Sequence, residues 1–329
     1  MGRKGRLLQV LLLAGMTILL SQCSYFKKPE PRMRGLTSRE SSRLADAYGP
    51  QEEDKKPQVS SGQEMPMERR EALGNLLLQS RDYDNSLVNY LQVLRSQPDR
   101  VDIRYKVGVI YLLGGQYDLA RKELDKVILA KPDMLEAHEA LGLVHFQEKQ
   151  YPKALESFRF VLRLEPNRPQ ARYFMGATLL ATGKSREAIT ELDAAVRQDP
   201  RNVAALSSLG EAYVQLKDYQ KAISWLTKAL AINAQHQKSL HQMGMALAGL
   251  KRYDEAFQAF LKSGDEAQAY NNIGVHYYLD GRYEDAAKCF QKALDIRPTY
   301  YEEAKANLVR ALEKMNLESS STGTKKEAP

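Results

Sequence analysis

Two short segments of the 329-residue sequence combine residue types that carry chemistry in other proteins. The first begins with His138 and Glu139. In zinc peptidases such a pair is followed by a second histidine one helical turn later, so that two imidazoles hold one metal ion. Here Gly142 stands in that place, and His145, seven residues after His138, has no evident third ligand beside it. The sequence therefore predicts no metal site.

The second segment, residues 178–185, reads Thr-Leu-Leu-Ala-Thr-Gly-Lys-Ser and ends like a phosphate-binding loop. Such a loop requires a glycine at its start and a preceding strand, because its backbone amides must surround the phosphates. Thr178 replaces that glycine, and the repeat pattern described below places the segment at the end of a helix. Since no Ser/His/Asp set has a catalytic spacing either, we predict no cofactor, no small-molecule substrate and no enzymatic activity.

The charge balance also narrows the range of partners. The formal net charge is +7, and three of the positive charges are Arg3, Lys4 and Arg6 at the N-terminus. The remaining excess is too small to indicate a nucleic-acid-binding surface. Cys289, the second of two cysteines, is predicted to be a small packing residue.

Cys23 ends an apolar run that extends from Leu7 to Leu20. The basic residues before this run and its short length are typical of a secretory signal peptide, which we place at 1–22. A helix of this length rises about 21 Å, less than the roughly 30 Å of a hydrocarbon core. The sequence therefore predicts export and leaves open a second possibility, an uncleaved N-terminal anchor with an incidental cysteine.

The segment Leu20-Ser21-Gln22-Cys23 resembles the lipobox of bacterial lipoproteins, although Gln22 stands where that motif has a small residue. The resemblance implies that Cys23 carries a lipid such as palmitate, and Ser24 after it implies sorting to the outer membrane. Residues 23–66 are rich in Pro, Ser and charged side chains, a composition that does not support a packed core. We predict a flexible tether there.

A regular lattice of residues begins after the tether. Prolines recur every 34 residues from Pro98 to Pro200, and glycines recur at the same interval from Gly74 to Gly244. A tyrosine follows nine residues after most of these glycines, and a small residue follows three residues later. Internal periodicity of this length indicates an array of supersecondary units.

The lattice resembles the tetratricopeptide repeat (TPR) family, whose unit is two antiparallel helices. The resemblance implies an all-α fold, a superhelix of seven repeats, in which small residues let the paired helices approach. A helix at 301–317 is predicted to cap the last repeat, and 318–329 is predicted to be disordered. The predicted repeats span 67–100, 101–134, 135–168, 169–202, 203–236, 237–266 and 267–300.

In this family the first helices of successive repeats line a groove that binds partner proteins. The corresponding positions here are mainly apolar, which favours an apolar or amphipathic segment as the ligand. The Lys/Asn clamp that binds acidic C-termini of chaperones in some family members is missing. The predicted partner-binding residues are Tyr105, Val109, Leu112, Phe146, Tyr173, Leu180, Val214, Met245 and Tyr278.

A signal peptide, a tether and TPR repeats in this order resemble the TPR lipoproteins of type IV and tight-adherence pilus assembly. This resemblance implies a lipid-anchored scaffold on the periplasmic side of the outer membrane that holds a secretin or another pilus, motility or secretion component. The alternative is an inner-membrane-anchored adaptor for cell-wall synthesis or protein quality control.

Overall fold

The computed structural model describes residues 65–298 and 301–323. Within these residues the chain forms fifteen α-helices and no β-strand. The predicted all-α class of paired helices is therefore confirmed. The predicted signal peptide, Cys23 and the tether up to residue 64 lie outside the described residues.

Seven helix pairs follow one another along the chain, and one more helix follows them. The first helices are α1 (Met67–Gln79), α3 (Val101–Leu113), α5 (Leu135–Gln147), α7 (Pro169–Ala181), α9 (Val203–Gln215), α11 (Gln237–Gly249) and α13 (Glu266–Leu279). The second helices are α2 (Tyr83–Ser96), α4 (Tyr117–Ala130), α6 (Tyr151–Leu164), α8 (Ser185–Gln198), α10 (Tyr219–Ile232), α12 (Tyr253–Ser263) and α14 (Tyr283–Ile296). The last helix is α15 (Glu302–Gly323).

The turn inside each pair reverses the chain within a few residues. One turn residue adopts a left-handed conformation, which glycine adopts readily and other residues adopt at a cost. Glycine supplies it at Gly115, Gly183 and Gly281, with φ between 72° and 76°. In the other four pairs a basic residue takes this conformation, with φ between 59° and 63°: Arg81, Lys149, Lys217 and Lys251.

In six of the described pairs, all except α7 and α8, the first helix packs closely on its own second helix at a glycine. A Cβ atom added to Gly142 would lie 2.7 Å from the Phe158 ring, and one added to Gly274 would lie 2.7 Å from the Phe290 ring. Such distances are shorter than van der Waals contact, so a larger residue would separate the helices or displace the ring. The lattice glycines are therefore required by packing.

The described residues divide within α7 into two compact units. Unit 1 ends at Thr178 and contains α1 to α6 with most of α7; fully buried Tyr90, Leu124 and Phe158 contribute to its core. Unit 2 begins at Leu179 and contains the later helices, with Leu226, Phe260 and Phe290 in its core.

The C-terminal helix differs from its prediction in two respects. It continues to Gly323, beyond the predicted end at 317, so residues 318–323 are helical where a disordered tail was expected. As a capping helix it buries Ala304 and Ala311, the latter in the core cluster of α14, but Leu312 remains 44% exposed. Part of the apolar side of α15 is thus not covered by α14.

Candidate partner-binding surface

Five of the nine predicted partner-binding residues are buried within the chain. Tyr105, Val109, Leu112, Tyr173 and Leu180 are each at most 6% exposed. Their side chains occupy space between helices and expose little surface, and their part in partner binding stays a prediction. In these repeats the large apolar residues serve packing, because neighbouring helices enclose them on more than one side.

Unit 1 places a buried ion pair among these packed residues. Glu139 on α5 is 1% exposed, and its two carboxylate oxygens each accept a hydrogen bond from Arg168, one from Nε and one from Nη2, both at 2.8 Å. Arg168 precedes α7 and also contacts Glu165 at 3.0 Å and Glu136 at 3.6 Å. Two parallel hydrogen bonds from one guanidinium therefore hold α5 to the last residue of repeat three, directly before α7.

Burial and ion pairing act on Glu139 in opposite directions. Removal from water raises the pKa of its carboxyl, the charge and the hydrogen bonds of Arg168 lower it, and the net pKa is about 7. Burial also raises the pKa of the enclosed Tyr105 hydroxyl. This interior is a strongly desolvated environment that holds one charged contact, and it is a structural feature of unit 1.

A similar pair lies within repeat one, and a further hydrogen bond links this repeat to repeat two. Arg100 donates a hydrogen bond from Nη2 to Glu71 at 2.8 Å, and Lys106 donates to Asn75 at 2.7 Å. Glu71 and Arg100 are 29 residues apart, the same separation as Glu139 and Arg168. A glutamate followed 29 residues later by an arginine could have indicated both ion pairs from the sequence. The spacing does not resemble a catalytic motif and was not recognised.

The remaining predicted groove residue of unit 1 is Phe146 on α5. Its ring is partly buried and meets the ring of Tyr151 edge-on, with 5.9 Å between the ring centres. Since its predicted groove neighbours are buried, Phe146 is an isolated apolar contact on that surface.

Unit 2 presents a different arrangement. Val214 on α9, Met245 on α11 and Tyr278 on α13 are each partly buried and partly accessible. Each packs on its side against a core cluster of the unit. The helices α9 and α11 contact each other directly, as do α11 and α13. We call these three residues the apolar strip of unit 2.

Polar groups lie beside this strip. Lys238 and Glu211 form an ion pair at 2.7 Å, with 21% and 23% of their side chains exposed. Nε2 of His276 lies 3.4 Å from Sδ of Met245, which links α13 to α11. Burial lowers the pKa of His241 to about 4, so this imidazole is neutral at physiological pH. The strip therefore combines accessible apolar atoms with a charged pair at its edge.

The described residues contain no arrangement of three or more His, Cys, Asp or Glu side chains that could hold a metal ion. The ring of His138 instead packs against the ring of Phe160, with ring centres 4.0 Å apart, and its Nε2 lies 2.8 Å from the carbonyl oxygen of Pro132. Cys289 is partly buried, and burial raises the pKa of its thiol, which disfavours the reactive thiolate. None of the helices in 65–298 and 301–323 has the length and hydrophobicity needed to cross a bilayer.

Consecutive helix pairs with these close contacts define a helical-repeat protein, a class whose fold is of a non-catalytic scaffold type. Tetratricopeptide repeat families match most of the array, and together the matched segments exceed half of the chain. The chain belongs to the tetratricopeptide repeat family, and its repeats indicate a scaffold for protein–protein interaction. The matched residues are 71–133, 173–236, 237–263 and 267–300.

Other comparisons agree on the fold. Residues 114–195 also match the family of anaphase-promoting complex, cyclosome, subunit 3. A tetratricopeptide repeat protein from Parabacteroides merdae ATCC 43184 is similar over 75% of this chain and 98% of its own, with 15% identity and a TM-score of 0.57. No functionally curated protein matches the sequence.

Two further solved structures are similar. Pseudomonas aeruginosa pilF matches over 64% of this chain and 99% of its own, with 22% identity and a TM-score of 0.51. The Cut9–Hcn1 hetero-tetramer of the anaphase-promoting complex matches over 75% of this chain and 52% of its own, with 20% identity and a TM-score of 0.57. At these identities the likeness shows the fold alone.

Proposed function

We propose that this protein is a non-enzymatic scaffold of the bacterial envelope and that the apolar strip of unit 2 binds an apolar or amphipathic segment of a partner protein. The partner class is an envelope machine component, such as a secretin or another part of a pilus, motility or secretion assembly. A lipid on Cys23 anchors the scaffold to the outer membrane on its periplasmic side.

The observation that carries this proposal is the accessibility of the strip. In unit 1 the residues at equivalent repeat positions are mostly buried, whereas Val214, Met245 and Tyr278 keep part of their apolar surface open on three successive first helices. An extended or helical segment that crosses these helices would meet one apolar residue at each step. The Glu211–Lys238 pair beside them favours a ligand with polar groups along one edge.

The anchor part rests on the sequence alone. An apolar run that ends at Cys23, after a basic N-terminus, fits a lipoprotein signal, and the polar residues up to 66 supply a spacer. Its test is Cys23→Ser, which should abolish both the incorporation of labelled palmitate and the removal of the signal peptide. Undiminished labelling of this variant, or an unlabelled native protein, would contradict the anchor.

The binding part is tested by cross-linking in intact cells. A photo-reactive amino acid at the position of Met245 should form a specific adduct with an envelope protein upon irradiation. The matched control carries the same amino acid at Ile232, which is 39% exposed at the end of a second helix in the same unit. An adduct from position 232 and none from position 245 would reject the strip as the binding surface.

Substitutions provide a quantitative check on the same surface. Met245→Ala with Tyr278→Ala should weaken partner capture about tenfold or more, because aromatic and other large anchors dominate interface energies. Ile232→Ala with Ile296→Ala removes two exposed apolar side chains from second helices and should leave capture unchanged. Equal losses from the two pairs would show that binding does not depend on the strip.

A further inference from the structure

The last helix repeats the packing of a first helix. In α13, Ile273 packs with the core cluster of α12, and the next residue, Gly274, faces the Phe290 ring on its own second helix. In α15, Leu308 packs against the cluster of α14, and the next residue is Val309. In this packing register, which is one residue longer than the 34-residue interval, Val309 occupies the place of the lattice glycine. Leu312 occupies the place of Tyr277, which packs on α14.

In the complete repeats this face is covered. The corresponding glycines lie against a Leu, Phe or Tyr side chain of their own second helix, as with Gly108 and Leu124. Along the described part of α15, by contrast, Val309 is 48% exposed and Leu312 is 44% exposed. These two residues, three positions apart on one side of a helix, form an open aliphatic face. This face continues the apolar surface that α14 covers.

We propose that this open face of α15 is a dimer interface at which α15 of a second copy packs antiparallel across a twofold axis. A twofold interface uses the same patch on both copies, so each Val309 lies opposite Leu312 of the other copy. Val309 fills the space that glycine leaves for an aromatic ring in the repeats. A second helix like those of the array would therefore overlap with it, whereas another aliphatic face of the same kind fits.

The charges on α15 select the antiparallel direction. Lys305 and Glu313 are both exposed and lie on opposite sides of the aliphatic pair along the helix. Antiparallel packing brings Lys305 of each copy towards Glu313 of the other, whereas parallel packing would place like charges side by side. The alternative is an end-to-end contact between α15 of one copy and α1 of another, where Leu76 is 61% exposed. That contact would join unlike surfaces and continue into longer chains. The Lys305–Glu313 pairing favours the twofold contact instead.

Sedimentation equilibrium of the full-length protein tests the proposal. The aliphatic contact is small, so we expect a reversible monomer–dimer equilibrium with a dissociation constant of roughly 1–100 µM, in the range of weak interfaces. Val309→Glu with Leu312→Glu should raise this constant at least about tenfold by placing four carboxylates in the interface. The control is Leu129→Glu with Ile232→Glu, two exposed apolar residues elsewhere, which should not change it.

Charge exchange tests the direction. Lys305→Glu and Glu313→Lys should each weaken the dimer, and the double exchange should restore it because both pairs become complementary again. Circular dichroism will establish that each variant keeps its helix content. A protein that stays monomeric at about 0.3 mM, a dimer that persists in the Val309/Leu312 variant, or assembly into growing chains would each overturn the proposal.

Discussion

Units 1 and 2 share the same helix pairs but differ in how successive first helices meet. In unit 1, buried Tyr105 and Tyr173 alternate with the buried Glu139. In unit 2 the matching positions hold smaller or more polar residues: Ser207, His241 and Asn271. All of these side chains are buried, but unit 1 has two tyrosines at this position and unit 2 has none. Met245 and Tyr278, at other positions of the first helices of unit 2, stay partly accessible.

The ion pairs of the two units differ in a similar way. The Glu139–Arg168 pair is removed from water, with side-chain exposures of 1% and 13%. The Glu211–Lys238 pair keeps about a fifth of each side chain exposed and makes one contact at 2.7 Å. A buried charge that loses its partner is left without solvation, whereas an accessible one recovers water. The two pairs should therefore differ strongly in their contribution to stability.

The largest effect should come from breaking the buried pair. Glu139→Ala leaves the Arg168 guanidinium buried with weaker partners, and we expect a loss of about 3 kcal/mol in the free energy of unfolding. Glu211→Ala should lose about 0.2–1 kcal/mol. Urea denaturation followed by circular dichroism measures both. Equal losses in the two variants would remove the distinction between a packed unit 1 and an open unit 2.

A second prediction concerns the contacts that the two units share. A Cβ atom at Gly142 in unit 1 and at Gly274 in unit 2 would each lie 2.7 Å from a phenylalanine ring. Gly142→Val and Gly274→Val should therefore each cost about 1–3 kcal/mol through overpacking. Thermal and urea denaturation of the two variants will compare them. A loss confined to one unit would mean that packing within the pairs also differs between the units.

Features that repeat along the sequence were predictable, whereas features that depend on contacts between repeats were not. The helix pairs and the close glycine contacts recur every 34 residues, so Gly74 to Gly244 predicted them correctly. The accessible residues could not be separated from the buried ones in this way, because Tyr105 and Met245 both lie at groove positions. Their exposure depends on three-dimensional contacts with neighbouring helices, which a sequence period does not specify. The open face of α15 was hidden for the same reason, since Leu312 fitted the apolar pattern of a capping helix.

Acidification should increase the difference in stability between the two units. The pKa of Glu139 rises from 4.5 to about 7 in the folded chain, so its contribution to stability is present below 4.5 and is lost as pH rises through 7. The pKa of His241 falls from 6.5 to about 4, so its contribution is present above 6.5 and is lost as pH falls through 4. Burial also lowers the pKa of His236 and His276, which reinforces the trend in unit 2.

Between pH 7 and pH 5 we therefore expect unit 2 to lose stability relative to unit 1. The lowered pKa of His145 in unit 1 offsets part of the difference. Hydrogen-exchange protection of α5 and α11, corrected for the intrinsic pH dependence of exchange, measures it. Glu139→Gln and His241→Gln should each flatten the pH dependence of their own unit. Parallel loss of protection in both units would contradict the assignment of opposite slopes.

The smallest effect should come from the turns within the pairs, where the units ought to behave alike. Lys149 in unit 1 and Lys217 in unit 2 have φ of 59° and 61°, a conformation that disfavours residues with a Cβ atom. Lys149→Gly and Lys217→Gly should each relieve this strain and raise the free energy of unfolding by up to about 1 kcal/mol, partly offset by the greater entropy of glycine in the unfolded chain. The reverse change, Gly183→Lys, introduces the strain where a Cβ atom would meet nothing within 4 Å. It should therefore lower stability by a similar amount without any steric overlap. Because the strain is local to one residue, equal gains in the free energy of unfolding of the two lysine variants would show that the turns do not contribute to the difference between the units. A loss of stability in either variant would show instead that the lysine side chain stabilises its turn.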